Sequence, residues 1–583
     1  MPEHKRGQTK YNQCDEDVRN HILTLFHYQT MKTLFLRFIL IASCLFTICR
    51  STKGTNSNED IRPLPGEIIS SQKGTTTDTQ SGKVAGYIVD GVYTYKGIPY
   101  AKAERFMEPQ VPDCWEGIKG CHIYGPTCPQ EKRPLIKQMN DDDSFAFQRN
   151  DGYSDEDCLR LNIWTKGLND GKKRPIMVWI HGGGYAYGSC HEMPAYDGTN
   201  LAEKGDVVVV SLNHRLNVLG YLDLSAYGEK YAHSGNAGIL DLIAALQWIQ
   251  KNIRNFGGDP DNVTIFGQSG GGGKVSTLLS TPYAKGLFHK AIIQSGSQLR
   301  TMEQKYSHKI ASIVLKELGL QPYQVDSLQR VPYEQLFNAG IKAVETTRIE
   351  AEQEGFDCFI FGLSPVVDGD VLPTQPFDKQ APEVSRDIPM MIGSTLNEFC
   401  KASYVPFFRN LSEEKVMEQI NQKFGSRSND YLQAFAKAYP NYKPQDLIDI
   451  DNRFRVFATK QAALKAKQEG AAVYTYLFTW QSPAMDGIYR AYHCMEIPFV
   501  FNNVVLQASM TGGGREARVL ADKMSRAWIN FAHTGNPNAE GLPLWIPYTE
   551  KEATMIFDNQ CEVKYGFDRE LTNILGDFLP LPF

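Results

Sequence analysis

The stretch Phe266–Lys274, FGQSGGGGK, sets five glycines around one serine. It follows the apolar residues Val263, Ile265 and Phe266 and precedes a helix-like run holding Val275, Leu278 and Leu279. A glycine in a helix costs roughly 1 kcal/mol relative to alanine. The chain gives up helical stability here, so close approach of bare backbone must be worth more. Gly267 and Gly271 flank Ser269 with the spacing G-x-S-x-G. That spacing describes a strand-to-helix turn so sharp that side chains two before and two after the serine would collide, and it leaves the hydroxyl exposed. A phosphate-binding loop, G-x-x-x-x-G-K-[ST], does not fit, because position 268 is Gln and position 275 is Val. A flexible glycine turn with an incidental serine fits the motif taken alone.

A second stretch decides between those readings. Trp179-Ile180-His181-Gly182-Gly183-Gly184-Tyr185 follows the apolar run PIMVWI. An HGGG turn at a strand end supplies backbone N–H groups to a developing oxyanion, and the N–H of the residue after the nucleophile, Gly270, adds another. Preorganised donors of this kind are worth about 3 kcal/mol each to a tetrahedral intermediate. Gly272 and Gly273 have no such role; they suit close packing of the helix on the sheet or room for a substrate.

Short apolar runs recur at Pro175–Ile180, Val207–Leu212, Val263–Phe266, Lys290–Gln294, Ile388–Ile392, Val473–Trp480 and Thr554–Phe557. Helix-like segments separate them. In one, Ile239, Ile243, Leu246, Ile249 and Ile253 recur at three- and four-residue steps, and Gly257, Gly258 and Pro260 end it. Buried strands alternating with helices imply an α/β chain with a large, mostly parallel sheet covered on both faces. Ahead of them, Lys83–Tyr95 reads as an antiparallel hairpin with an Asp90-Gly91 turn. No repeat or second linker appears, so residues 84–583 read as one domain.

A neutral serine needs a base. In an α/β sheet of this kind the order along the chain is Ser, then Asp or Glu, then His. Four histidines follow Ser269. His289 adjoins a strand, His308 lies in a helical segment and His533 follows a helix, whereas His493 follows the Val473–Trp480 strand where the base should project. For the acid, Glu398 follows the Ile388–Ile392 strand; its rival Asp368 belongs to an Asp-Gly turn. The acid would accept the Nδ1 hydrogen of His493 and stabilise the imidazolium.

The segments YKGIPYA (95–101), SDEDCLRLNIWT (154–165), VWIHGGGYAYGS (178–189), VVVVSLNHRLNVLGYL (207–222), 235–272 with its GNAGILD start, and HCMEIPFVF (493–501) together resemble the type B carboxylesterase/cholinesterase family. The resemblance covers most of residues 84–560. It implies an α/β-hydrolase fold and hydrolysis of carboxylic esters through an acyl-enzyme, with Ser269, Glu398 and His493 as the triad. It also implies Gly183, Gly184 and Gly270 as the oxyanion hole, a disulfide between Cys128 and Cys158, and no cofactor or metal. The chain departs from the usual G-E-S-A-G at Gln268 and Gly270, and Leu242 stands where Gln is usual. The loop between Cys128 and Cys158 has Phe145, Phe147, Tyr153 and a solvated acidic run, Asp141–Asp143, but no choline-stacking Trp. A choline-ester specialist is therefore disfavoured. A lipase or acyl-amide hydrolase of the same fold, or a non-catalytic adhesion ectodomain, are the alternatives.

Twelve cysteines are present, three of them by position 49; no paired metal-ligand spacing occurs among them. A net charge of −5 with no basic run excludes a nucleic-acid partner. Met31–Ile48 has Lys32 and Arg37 ahead of the short apolar run Phe38–Ile48, the layout of an export signal starting at Met31. Residues 1–49 therefore read as a targeting segment and 50–83 as a flexible lead-in, giving a secreted, periplasmic or cell-surface protein. Ile41-Ala42-Ser43-Cys44 also resembles a lipoprotein box, which would add a lipid anchor to the membrane. Asn262 and Asn410 head Asn-x-Ser/Thr sites. The partner expected is a small-molecule ester; oligomeric state and acyl and alcohol preference are not legible.

Overall fold

The computed structural model describes residues 66–131, 145–150, 152–358, 361–451, 453–579 and 581–582. Its centre is a twelve-stranded sheet. In chain order the strands are β1 (Ile68–Ile69), β2 (Tyr87–Val89), β3 (Val92–Pro99), β4 (Arg160–Thr165), β5 (Arg174–Ile180), β6 (Val208–Leu212), β7 (Gly258–Gln268), β8 (Lys290–Gln294), β9 (Met390–Thr395), β10 (Val473–Phe478), β11 (Ala553–Phe557) and β12 (Glu562–Tyr565). Across the sheet the order is β1-β2-β3-β4-β6-β5-β7-β8-β9-β10-β11-β12. The run from β6 to β11 is parallel. Both edges are antiparallel.

The parallel strands are buried along their whole length except at Asp259, Asp261 and Asn262 near the start of β7, as continuous apolar runs require when helices cover both faces. Two apolar clusters result. One face packs Ile176, Val178, Ile265 and Ile293 with Ile239 and Leu246 of the helix Ala237–Asn252. The other packs Trp179, Phe266, Ile292 and Met391 with Trp528 and Phe531 of the helix Arg515–Thr534. The i, i+2 alternation sends Val178 and Trp179 to opposite faces.

The Asp90-Gly91 hairpin forms as expected: Val89 pairs with Val92, and both turn residues have positive φ. The apolar runs and the hairpin did not mark three strands of the sheet, β1, β4 and β12. In β4 the polar Asn162 interrupts the pattern, yet it is buried, its amide donating to Cys190 Sγ and Ser211 Oγ. Ordered structure also begins before residue 84. Ile68–Ile69 pairs with β2, and Thr76–Thr79 pairs with Gly82–Ala85 in a small separate sheet, so this part of the expected flexible lead-in is held by main-chain bonds. The targeting segment and the Asp141–Asp143 run lie outside the described residues. No helix among the described residues is long and apolar enough to cross a membrane.

The expected Cys128–Cys158 disulfide is not formed. All nine described cysteines are free thiols. Cys128 and Cys158 are buried hydrogen-bonded neighbours, and the Leu216 N–H also donates to Cys128 Sγ at 3.2 Å. The two residues meet as the resemblance implied, but closing the bond takes an oxidising environment, which sequence proximity in the fold does not supply.

Candidate active site

Strands β5 and β7 are parallel neighbours, with Gly267 opposite Ile180. The turns that leave their carboxyl ends therefore lie side by side, where α/β sheets carry their chemistry. After β7 the chain passes through Ser269 at φ 56°, ψ −126° and enters the helix Gly270–Leu278 directly. This is a strained conformation for a residue with a side chain. The glycines explain how it is tolerated. A Cβ at Gly267 would lie 2.6 Å from the Gly271 carbonyl carbon, and a Cβ at Gly271 only 2.0 Å from the Ile180 oxygen. The Ser269 N–H is tied to the Gln294 carbonyl of β8 at 2.8 Å.

The HGGG turn packs on this elbow. A Cβ at Gly182 would stand 3.4 Å from Ser269 Cβ, and one at Gly270 would fall 2.2 Å from the Gly184 oxygen. Gly183 and Gly184 both have positive φ, at 86° and 63°. Gly270 opens its helix, where N–H groups lack intrahelical partners. The glycine turn that holds Gly183 and Gly184 thus lies against Gly270, beside Ser269.

Glu398 and His493 come from the loops after β9 and β10, whose ends are in register at Thr395 and Phe478. His493 Nδ1 donates to Glu398 Oε2, and the His493 N–H donates to the Glu398 carbonyl at 2.8 Å. The other Glu398 oxygen accepts the Thr395 N–H at 2.9 Å. Both side chains are almost wholly buried. The imidazole reaches the elbow through Gln268, whose Nε2 lies 3.3 Å from His493 Nε2. Among the described residues the bond from the Ser269 hydroxyl to His493 is not closed, a common state of unliganded sites whose hydrogen bonds tighten around substrate.

Electrostatics favour the charged pair. Burial opposes an imidazolium, but the neighbouring Cys494 and the Glu398 carboxylate outweigh it, and the His493 pKa is raised well above its ordinary value. Two further buried acids surround Glu398. Burial, then the Glu398 charge, pushes both Asp451 and Glu496 up to about 7.

The rival residues serve elsewhere. Asp368 caps its own turn, accepting from the Asp370 and Leu372 N–H groups, and holds Asn236 at 2.9 Å. His289 Nδ1 accepts the Val263 N–H, His308 meets Ser225 and Asp223, and His533 donates to the Gly205 carbonyl.

Sequence reasoning missed several residues of the site. Asn397 stitches the acid and base loops: its N–H donates to the Ala491 carbonyl, its Oδ1 accepts the Ala491 N–H, and its Nδ2 donates to Asp449. Nothing in one sequence marks such an Asn. Phe399 lies tilted against the His493 ring at 4.4 Å while remaining 38% exposed, and Phe454 packs on the ring at 5.3 Å. Phe147 and Tyr492 extend this aromatic wall. The position of Phe399 directly after the acid was a signal that could have been used.

A serine on a strained strand-to-helix elbow, faced by a glycine turn and approached by a buried carboxylate–imidazole pair, defines a serine hydrolase of the α/β-hydrolase fold. The chain belongs to the carboxylesterase family, whose model matches residues 73–573, and it is a serine carboxylesterase. It is 36% identical over 500 residues to the para-nitrobenzyl esterase of Bacillus subtilis (strain 168), covering 83% of this chain and 95% of that one. It is 33% identical over 511 residues to the human (Homo sapiens) cocaine esterase, covering 81% and 86%. Among solved structures, an esterase from anaerobic Clostridium hathewayi that can hydrolyze aliphatic aromatic polyesters superposes with a TM-score of 0.77 at 39% identity, over 88% of this chain and 100% of that one.

Proposed function

We propose that Ser269 is the nucleophile, His493 the general base, Glu398 the acid that orients it, and the Gly183, Gly184 and Gly270 amides the oxyanion hole. The observation that carries this reading is the buried Glu398–His493 pair resting against Gln268, one residue before a serine with φ 56°. Ser269 Oγ attacks the ester carbonyl as His493 Nε2 takes its proton. The carbonyl oxygen becomes an anion facing the three N–H groups. His493 then returns the proton to the leaving alcohol. Water, deprotonated by the same imidazole, cleaves the acyl-enzyme. No step needs a cofactor.

The substrate class is an ester with an aromatic or bulky apolar group next to the carbonyl or leaving oxygen. The wall of Phe399, Phe454, Phe147 and Tyr492 beside His493 supports it, and so do relatives whose names specify para-nitrobenzyl esters and aromatic polyesters. The test is hydrolysis of a p-nitrophenyl ester series of rising acyl length beside benzoate esters, with Ser269→Ala as the blank. Turnover that persists in Ser269→Ala would refute the assignment. Lys32 and Arg37 ahead of Phe38–Ile48 support export of the chain; esterase activity confined to the cytoplasmic fraction when residues 31–48 are present would contradict it.

A further inference from the structure

Lys274 supplies the lysine of a phosphate-loop pattern that fails at Gln268 and Val275, and the mechanism above does not use it. It lies four residues after Gly270 on the helix Gly270–Leu278, so the two residues share one helix face. Its side chain is fully buried. Nζ donates to the Gly184 carbonyl at 2.9 Å and to the His181 carbonyl at 3.2 Å, and lies over the Tyr185 ring at 5.5 Å. The two carbonyls belong to the peptide units His181–Gly182 and Gly184–Tyr185. Between them lie the two units that carry the Gly183 and Gly184 N–H groups. The amine therefore grips the oxyanion turn on both sides of its donors.

We infer that Lys274 is a positioning residue for ester hydrolysis: it clamps the His181–Gly184 turn against the elbow and so aims the Gly183 and Gly184 amides at the oxyanion. Two observations stand behind the clamp besides the hydrogen bonds. The turn is a run of three glycines, two at positive φ, which without a tether samples many conformations. And the turn lies so close that a Cβ at Gly270 would fall 2.2–2.5 Å from the Gly184 oxygen, Cα and nitrogen. Lysine at 274 draws the turn in, and glycine at 270 makes the room. A buried amine with carbonyl partners is costly to keep: burial pushes Lys274 down to about 7, with Glu192 opposing at longer range. A methionine would fill the same space without that cost, so packing alone does not account for the amine.

The inference rests on Ser269 as nucleophile, and one experiment separates the two. Lys274→Met, Gly270→Ala and Gly270→Ala/Lys274→Met are assayed on p-nitrophenyl acetate beside Ser269→Ala, with kcat expressed per site titrated by a fluorophosphonate. Misaiming an oxyanion donor acts on the transition state, so kcat of Lys274→Met falls about 30- to 300-fold with KM within about twofold. Affinity for a trifluoromethyl ketone, which presents an oxyanion when bound, falls in parallel. In Gly270→Ala the new methyl group meets a clamped turn. Releasing the clamp in the double variant therefore makes the combined loss smaller than the product of the single losses. Lys274→Met with kcat per site within threefold of wild type, or single losses that multiply, overturns the clamp while leaving Ser269 in place. Should Lys274→Met fail to fold, the same cycle built with Lys274→Ser, singly and with Gly270→Ala, decides. Turnover surviving in Ser269→Ala overturns the reading beneath it.

Discussion

The two halves of the site are built differently. The elbow and the glycine turn consist of backbone, rise from adjacent strands in register, and are locked by approaches as close as 2.0 Å between Ile180 O and a would-be Cβ at Gly271. The acid–base half rides on loops. Residues 396–398, 449–451 and 491–493 are stitched together by a few hydrogen bonds through Asn397, Asp451 and His493. Met485, Asp486, Arg490 and Cys494 of that half adopt positive φ without being glycine. The charge that develops on the oxyanion needs fixed dipoles, and rigid backbone provides them without reorganisation. The imidazole must instead move a proton between two partners, and a loop gives it that freedom. Close backbone contacts hold the half where the field acts, and hydrogen bonds between loops hold the half where the proton moves.

This contrast can be broken by substitutions on each side. Glu398→Gln should have the largest effect, lowering kcat about 10⁴-fold because the amide no longer stabilises the imidazolium or fixes its tautomer. It should also move the pH profile. The His493 pKa is raised in the fold, so the free base needed to accept the serine proton accumulates only above about 6.5. The acid limb of kcat/KM therefore lies above that value, and removing the Glu398 charge shifts it to lower pH. A limb that stays in place would contradict the electrostatic account.

Substitutions aimed at the frame should cost stability first. Arg455 and Asp568 form a buried bidentate pair beneath the acid–base loops. Arg455→Met leaves a buried carboxylate uncompensated and should cost about 3–5 kcal/mol in urea unfolding. Gly271→Ala should cost upwards of about 3 kcal/mol, since neither the Ile180 carbonyl nor the helix start can give way. If Gly271→Ala is neutral in unfolding, the backbone half is not locked. Phe399→Ala on the loop half should change stability by less than about 1 kcal/mol, because the ring is partly exposed. Its kcat/KM on benzoate esters should still fall about fivefold more than on acetate, since an aromatic pair is worth about 1 kcal/mol. Equal losses on both esters would remove Phe399 from substrate recognition.

The same contrast explains what the sequence let through. The elbow, the HGGG turn and the central parallel strands were legible because backbone sterics admit only glycine at such contacts and because buried strands must be continuously apolar. Glu398 and His493 followed from chain order. Asn397 and the acids Asp451 and Glu496 were not, because the contacts that define their roles join loops that obey no period, and Phe399 was passed over although it directly follows the acid. Strand β4 was hidden by Asn162, a polar residue whose partners come from other segments. The disulfide that the family resemblance implied between Cys128 and Cys158 is absent, both being free thiols; a resemblance carries the pairing of positions and not the oxidation state.

The most direct measurement is peptide mapping of the protein after reaction with a fluorophosphonate. A single phosphonyl adduct on Ser269, formed in step with loss of esterase activity and slowed at least about a thousandfold in His493→Ala, is the expected result. An adduct on another residue, or esterase activity that survives complete modification of Ser269, would contradict the account.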